Sequence, residues 1–187
     1  MVYANAGVLR MPSNIEIKAN LKNRASVELI AAQLSDTEPE LIQQEDVFFR
    51  CDGARLKLRI LGRDRGELIR YERADMANAR CSRYTIARTS DPQNLLDILT
   101  KTLGTTGLVK KMRTLYLIGQ TRVHLDQVQN LGDFLELEVV LRPGQDESEG
   151  RSIADALLAR FGIDKQQLLA EAYVDLLARH LHTVESP

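Results

Sequence analysis

The chain has 187 residues, 44% of them hydrophobic and 27% charged, with 11 glycines and 5 prolines, which excludes a disordered, collagen-like or low-complexity protein. Its 25 basic and 26 acidic side chains leave a formal net charge of −1, which argues against a nucleic-acid partner held by bulk charge. No apolar run reaches the roughly 18 residues of a membrane span, residues 1–10 lack a signal-peptide core, and two cysteines, Cys51 and Cys81, make neither a disulfide framework nor a CxxC pair. The expectation is a soluble cytoplasmic protein with no membrane partner.

Residues 1–12 show no periodicity and read as a flexible N-terminal arm, followed by a single domain over 13–187. From Asn14 the pattern turns to period two, the signature of a strand with two different faces. The same alternation recurs over 46–51, 55–61, 67–73, 80–87, 108–118, 120–126 and 134–142, which predicts eight strands. Short links such as Ile118-Gly119-Gln120 join several of them as hairpins. Helical spacing is rarer. Ser26 caps a stripe of Val27, Ile30, Ala31 and Leu34; Asp91-Pro92 opens another through Leu95, Leu96, Leu99 and Leu103, with Gly104 as the stop. Near the C-terminus, Ile153 to Phe161 and a second helix opened by Asp164, with Leu169, Tyr173, Leu176 and Leu177, predict a helical pair. The class is α+β with a mostly antiparallel sheet.

The polar faces of the strands are unusual. Arg55-Leu56-Lys57-Leu58-Arg59 puts three cations on one side of one strand, where adjacent like charges repel unless an anion lies opposite. Lys111 and Arg113 repeat the arrangement, Arg122, His124 and Asp126 share a face, and Glu136 and Glu138 place two carboxylates on the last strand. Adding Glu16, Lys18 and Arg73 gives eight bases against four acids. If these faces point inward, the lining suits a polyphosphate, with cations on its oxygens and carboxylates holding a hard divalent ion. A half-exposed sheet with mixed charges for solubility explains the spacing equally well.

Seven short motifs, taken in order, resemble the CYTH superfamily of class IV adenylyl cyclases and thiamine triphosphatases (triphosphate tunnel metalloenzymes), in its cyclase-like branch. They are Asn14-Ile15-Glu16-Ile17-Lys18, Gln44-Glu45-Asp46-Val47-Phe48-Phe49, Arg55-Leu56-Lys57-Leu58-Arg59, Leu68-Ile69-Arg70-Tyr71-Glu72-Arg73, Lys110-Lys111-Met112-Arg113, His124-Leu125-Asp126 and Gly132-Asp133-Phe134-Leu135-Glu136-Leu137-Glu138. The resemblance implies an eight-stranded antiparallel closed β-barrel, a triphosphate tunnel, with outer helices and a C-terminal helical pair. It implies Mg²⁺ or Mn²⁺ on Glu16, Glu136 and Glu138, and catalytic roles for Glu16, Asp126 and Glu136. Lys18, Arg55, Lys57, Arg59, Arg73, Lys111, Arg113 and Arg122 become the substrate-binding set.

The implied reaction is the conversion of ATP to cyclic AMP and pyrophosphate. The alternative is hydrolysis of thiamine triphosphate, a nucleoside triphosphate or tripolyphosphate, and a third reading is a binding module without turnover. A homodimer is compatible with the sequence. One position departs from the family: Asn14 stands where its opening motif usually has glutamate, and an amide oxygen can coordinate a cation but brings no charge. Cys51 and Cys81 read as small hydrophobes and His180 and His182 as solvated. His124 reads equally as a phosphate or water contact and as a structural hydrogen bond, and Phe48 and Phe49 as core.

Overall fold

A computed structural model describes residues 14–72, 80–81 and 83–184, with side chains left out at 72, 80, 81, 83, 84 and 181–184. Nine strand segments form one antiparallel sheet: β1 (Asn14–Asn20), β2 (Glu40–Phe49), β3 (Arg55–Ile60), β4 (Gly66–Glu72), β5 (Arg80–Cys81), β6 (Arg83–Thr89), β7 (Thr105–Ile118), β8 (Thr121–Val128) and β9 (Gly132–Val140). Four helices accompany it: α1 (Arg24–Leu34), α2 (Pro92–Leu103), α3 (Glu147–Arg160) and α4 (Tyr173–Val184). The α+β class is as expected, and none of these helices is long and apolar enough to cross a membrane.

The expected closed barrel is corrected to a curled sheet with ordered edges. Its strands run β5, β1, β9, β8, β7, β2, β3, β4, β6. The reason lies at the outer edge of β1, which no single long strand covers. β5 pairs only with Ile15 and Glu16, whereas Ala19 bridges to Leu168 and the Lys18 carbonyl accepts from the Leu169 amide at 2.9 Å. The hydrogen-bonded ladder therefore stops short of a ring, although β5 and β6 flank position 82 and bring the two edges to neighbouring points of the chain.

Local chemistry sets the helices. Asn23, rather than Ser26, caps α1, its side chain accepting from the Ser26 amide. Asp91 caps α2 ahead of Pro92, and Gly104 ends it at φ 71°, where a side chain would be strained. Asp146 and Glu149 form a reciprocal capping box on α3. The helix expected from Asp164 makes only a single 3₁₀ turn over Lys165–Gln167, and the chain stays extended through the β1 contact before α4 begins at Tyr173. An edge strand with open backbone groups competes here with helix propensity and wins.

The apolar core lies outside the curl. Ile15, Ile17, Val123, Leu125, Leu135, Leu137 and Val139 pack under α1 and α3, while Val47, Phe49 and Leu58 lie under the Leu95, Leu96, Leu99 and Leu103 stripe of α2. α4 settles on β7 at Gly107, where a Cβ would run into Val174. Since outward residues take the core, their period-two neighbours must face inward.

Candidate active site

The inward set begins with Asn14, Glu16 and Lys18 on β1, and register fixes its neighbours. Glu16 stands opposite Glu138, and Lys18 opposite Glu136. Arg122 and His124 of β8 face Glu138 and Glu136 in turn, Asp126 faces Arg113 of β7, and Asp46 of β2 faces Arg59 of β3. Glu16, Lys18, Lys57, Arg59, Lys111, Arg113, Arg122, Glu136 and Glu138 all line one cavity of about 180 Å³, closed on one side by Ala172 and Tyr173. A second cavity of about 460 Å³ shares Arg59, Arg113, Arg122 and Glu138 with it, so the two are parts of one passage.

Two Lys-x-Arg pairs each close on an aspartate. Asp126 accepts from Lys111 Nζ at 2.7 Å and from Arg113 Nε and Nη2 at 2.6 and 2.7 Å. Asp46 accepts from Lys57 Nζ at 2.7 Å and Arg59 Nε at 3.1 Å. Glu136 joins the first cluster, 3.0 Å from Lys18 Nζ and hydrogen-bonded by Arg113. Tyr173 donates to Asp126 at 3.1 Å, and its ring lies 3.9 Å from Lys18 Nζ.

These contacts decide the protonation states. Burial pushes the carboxylates up, but Arg113 and Lys111 outweigh it and hold Asp126 down at about 2. Lys18, Lys111 and Arg113 hold Glu136 well below its ordinary value in the same way, and Arg59, Lys57 and Lys111 do so for Asp46. Burial lowers Lys57 to about 8 against the pull of Asp46. His124 is driven well below its ordinary value by burial and by Arg113, so it is neutral. Its Nδ1 has no hydrogen-bond partner among the described residues and lies 4.0 Å from a Glu136 carboxylate oxygen.

Not every expected residue reaches the cavity. Arg55 turns to α4 and holds Asp175 through a two-pronged ion pair at 2.8 and 3.1 Å. Arg73 and the side chain of Cys81 lie outside the described residues, while Cys51 is an exposed free thiol rather than a buried hydrophobe. Phe48 packs in a buried cluster with Val109, Phe134 and Tyr173 and also lines the cavity, its ring 5.6 Å from Lys57 Nζ, and Phe49 is core under α2. Two participants were missed. Asp46 belongs to a run, 44–49, whose alternation alone puts Gln44, Asp46 and Phe48 on one face. Tyr173 looks from its spacing like one more member of a helix stripe.

The passage has a place for a cation. Glu16 and Glu138 are cross-strand neighbours, and burial together with Glu16 and Glu136 raises Glu138 despite Arg113 and Arg122. The Asn14 Oδ1 beside them in the lining is buried with no hydrogen-bond partner among the described residues. Two crowded carboxylates, Glu138 also paired with Arg122 at 3.4 Å, and an orphaned amide oxygen are hard donors of the kind that suits Mg²⁺ or Mn²⁺. Glu136 is the most heavily paired of the three, with Lys18, Lys111 and Arg113 all on its carboxylate. No group of three His, Cys, Asp or Glu side chains among the described residues is gathered tightly enough to make a cage without other ligands.

A profile of the CYTH domain matches residues 13–173, so the chain belongs to the CYTH family. No curated protein matches its sequence. The PH1012 protein of Pyrococcus horikoshii has a similar structure, at TM-score 0.78 and 23% identity over 87% of this chain and 98% of that one. A candidate adenylate cyclase from Vibrio parahaemolyticus is similar at TM-score 0.67 and 20% identity, over 88% of this chain and 97% of its own. A candidate adenylyl cyclase from Hippeastrum, with a dominant triphosphatase activity, is similar at TM-score 0.59 and 14% identity, over 92% and 96%.

Proposed function

We propose that this protein is a divalent-metal-dependent enzyme acting on a triphosphate, with ATP cyclisation to cyclic AMP and pyrophosphate as the leading reaction. The observation that carries the proposal is the convergence of Lys18 and two Lys-x-Arg pairs on one cavity of about 180 Å³. That many buried cations suit a ligand with several anionic groups, because without one their desolvation is only partly offset by Asp46, Asp126 and Glu136.

In this reading Lys57, Arg59, Lys111 and Arg113 take the non-bridging oxygens of the phosphate chain. They hold it in line and spread the charge that develops on the leaving pyrophosphate. Asp126 and Glu136 are held deprotonated by their neighbours, so they act as counter-charges that aim these cations rather than as proton donors. Glu16 and Glu138, with the Asn14 oxygen, would hold the divalent cation, which supplies further charge neutralisation at the phosphates. Phe48, Ile69, Tyr71, Ile86 and Val109 add apolar wall to the same cavity, which supports a substrate carrying an organic group.

Hydrolysis is the second reading, and His124 favours it. A neutral, buried imidazole with an unpartnered Nδ1 beside Arg113 and Arg122 suits a hydrogen bond to an attacking water. Product analysis by phosphorus NMR after incubation with Mg²⁺ or Mn²⁺ separates them, offering ATP, thiamine triphosphate and tripolyphosphate. Cyclic AMP with pyrophosphate supports the cyclase, and orthophosphate supports the triphosphatase. Absence of any product from all three refutes both.

A further inference from the structure

We propose that Asp46 is a positioning residue for a bound polyphosphate: it fixes the Lys57 ammonium and the Arg59 guanidinium at the β3 wall, aimed into the passage, until phosphate oxygens replace it. The proposal rests on the triphosphate reading of the passage. It starts from a comparison of the two aspartates. Each stands across a ladder from a Lys-x-Arg pair, but their settings differ.

Asp126 is completely buried and is also held by the Tyr173 hydroxyl, so the carboxylate itself is out of a ligand's reach. Asp46 lies on the cavity wall and takes only Gln44 Nε2, at 3.1 Å, besides its two cations. Its Oδ2 is shared by Lys57 and Gln44 and lies 3.5 Å from Arg59 Nη2, while Arg59 Nε reaches Oδ1, and Arg59 itself lines both cavities. A carboxylate so placed orders two long side chains before a ligand arrives, which removes that ordering from the cost of binding.

Asp46 also governs the charge available at Lys57. The groups facing Lys57 are Asp46 from β2, Arg59 beside it on β3 and Lys111 from β7, with the rings of Phe48 and Tyr71 at 5.6 and 5.7 Å. Burial and the two cations all favour the neutral amine, and Asp46 is the anion that opposes them. With Asp46 in place Lys57 titrates at about 8 and is charged at neutral pH. Without it the same burial leaves a neutral amine, which offers phosphate oxygens no charge.

The test follows Lys57 directly, by NMR of protein labelled with ¹³C at lysine side chains, the Lys57 signal being assigned through Lys57→Arg. The wild-type midpoint is expected near 8. Asp46→Asn should lower it by about 1–3 pH units, the range for loss of an opposite charge at contact distance. Asp46→Glu should restore most of the shift. At pH 7 the Asn variant should also bind tripolyphosphate at least tenfold more weakly, measured by calorimetry. A purely structural aspartate would leave the tripolyphosphate affinity of the folded variant where it was.

If Asp46→Asn does not fold, the wild-type midpoint carries the test: a Lys57 that titrates below pH 7 with the carboxylate in place is not kept charged by it, which overturns the proposal. An unmoved Lys57 midpoint in a folded variant overturns the role of Asp46 while leaving the triphosphate reading intact. Failure of the wild-type protein to bind tripolyphosphate overturns that reading, and the ligand part of this proposal with it.

Discussion

Arg113→Ala removes the side chain on which the inner ion network turns. Its guanidinium makes two hydrogen bonds to Asp126, at 2.6 and 2.7 Å, and one to Glu136. Removing one partner of a buried ion pair costs about 3–5 kcal/mol because the other charge stays buried. Here the lower end applies, since Asp126 keeps Lys111 and Tyr173, and Glu136 keeps Lys18. At roughly 2–4 °C per kcal/mol for a chain of this size, a cost of about 3 kcal/mol lowers Tm by about 6–12 °C.

The pH dependence gives that figure a second check. Asp126 and Glu136 have native-state values depressed below the ordinary 3.8 and 4.5, so their contribution is complete above those values and is lost as pH falls. The Tm gap between wild type and variant should therefore be largest near pH 7 and shrink between about pH 4.5 and 2. Scanning calorimetry at pH 7 and pH 3, in buffers free of phosphate, measures both. A variant within 1 °C of wild type at pH 7, or a gap that does not narrow in acid, would refute the network as described (the 1 °C bound being roughly a tenth of the expected effect).

The two glutamates of β9 should separate. Glu136→Gln loses a carboxylate that three cations hold and should melt lower, whereas Glu138→Gln relieves crowding with Glu16 and should melt unchanged or higher. Mn²⁺ binding, followed by electron paramagnetic resonance, should weaken by roughly tenfold or more in Glu138→Gln; unchanged Mn²⁺ affinity would remove Glu138 from the cation site. In the outer core, Leu58 is fully buried under α2, and Leu58→Ala should cost about 2–5 kcal/mol in urea unfolding. A loss below about 1 kcal/mol would show that α2 collapses into the space.

Much of this site was legible because a strand's period leaves little freedom. Once Ile15 and Ile17 are recognised as core, Asn14, Glu16 and Lys18 must share the opposite face, and Arg55-Leu56-Lys57-Leu58-Arg59 follows the same logic on β3. That logic assigns a face, however, and says nothing of what stands across it. Arg55 lies on the expected face yet ends against Asp175, because β3 reaches α4 at that end. Asp46 was hidden for the converse reason: it shares its strand face with Gln44 and Phe48, where one acid makes no run of like charge, and its importance appears only when β3 is laid beside β2. Tyr173 and the open edge of β1 depend on contacts between residues some 150 positions apart, such as Lys18 with Glu171. No local period encodes these, and the same long-range pairing decides that the ladder ends at β5 and β6 instead of closing.

The central claim is that the passage holds several linked phosphates at once. Calorimetric titration of the wild-type protein and of a Lys111→Ala, Arg113→Ala double variant with tripolyphosphate and with orthophosphate tests it most directly. The account predicts that wild type binds tripolyphosphate on the order of a hundredfold or more tighter than orthophosphate, each further charge-assisted contact adding about 1.5–3 kcal/mol. It also predicts that the double variant loses most of this preference. Equal affinities for the two ligands in the wild-type protein, or a preference that survives the double substitution, would contradict it.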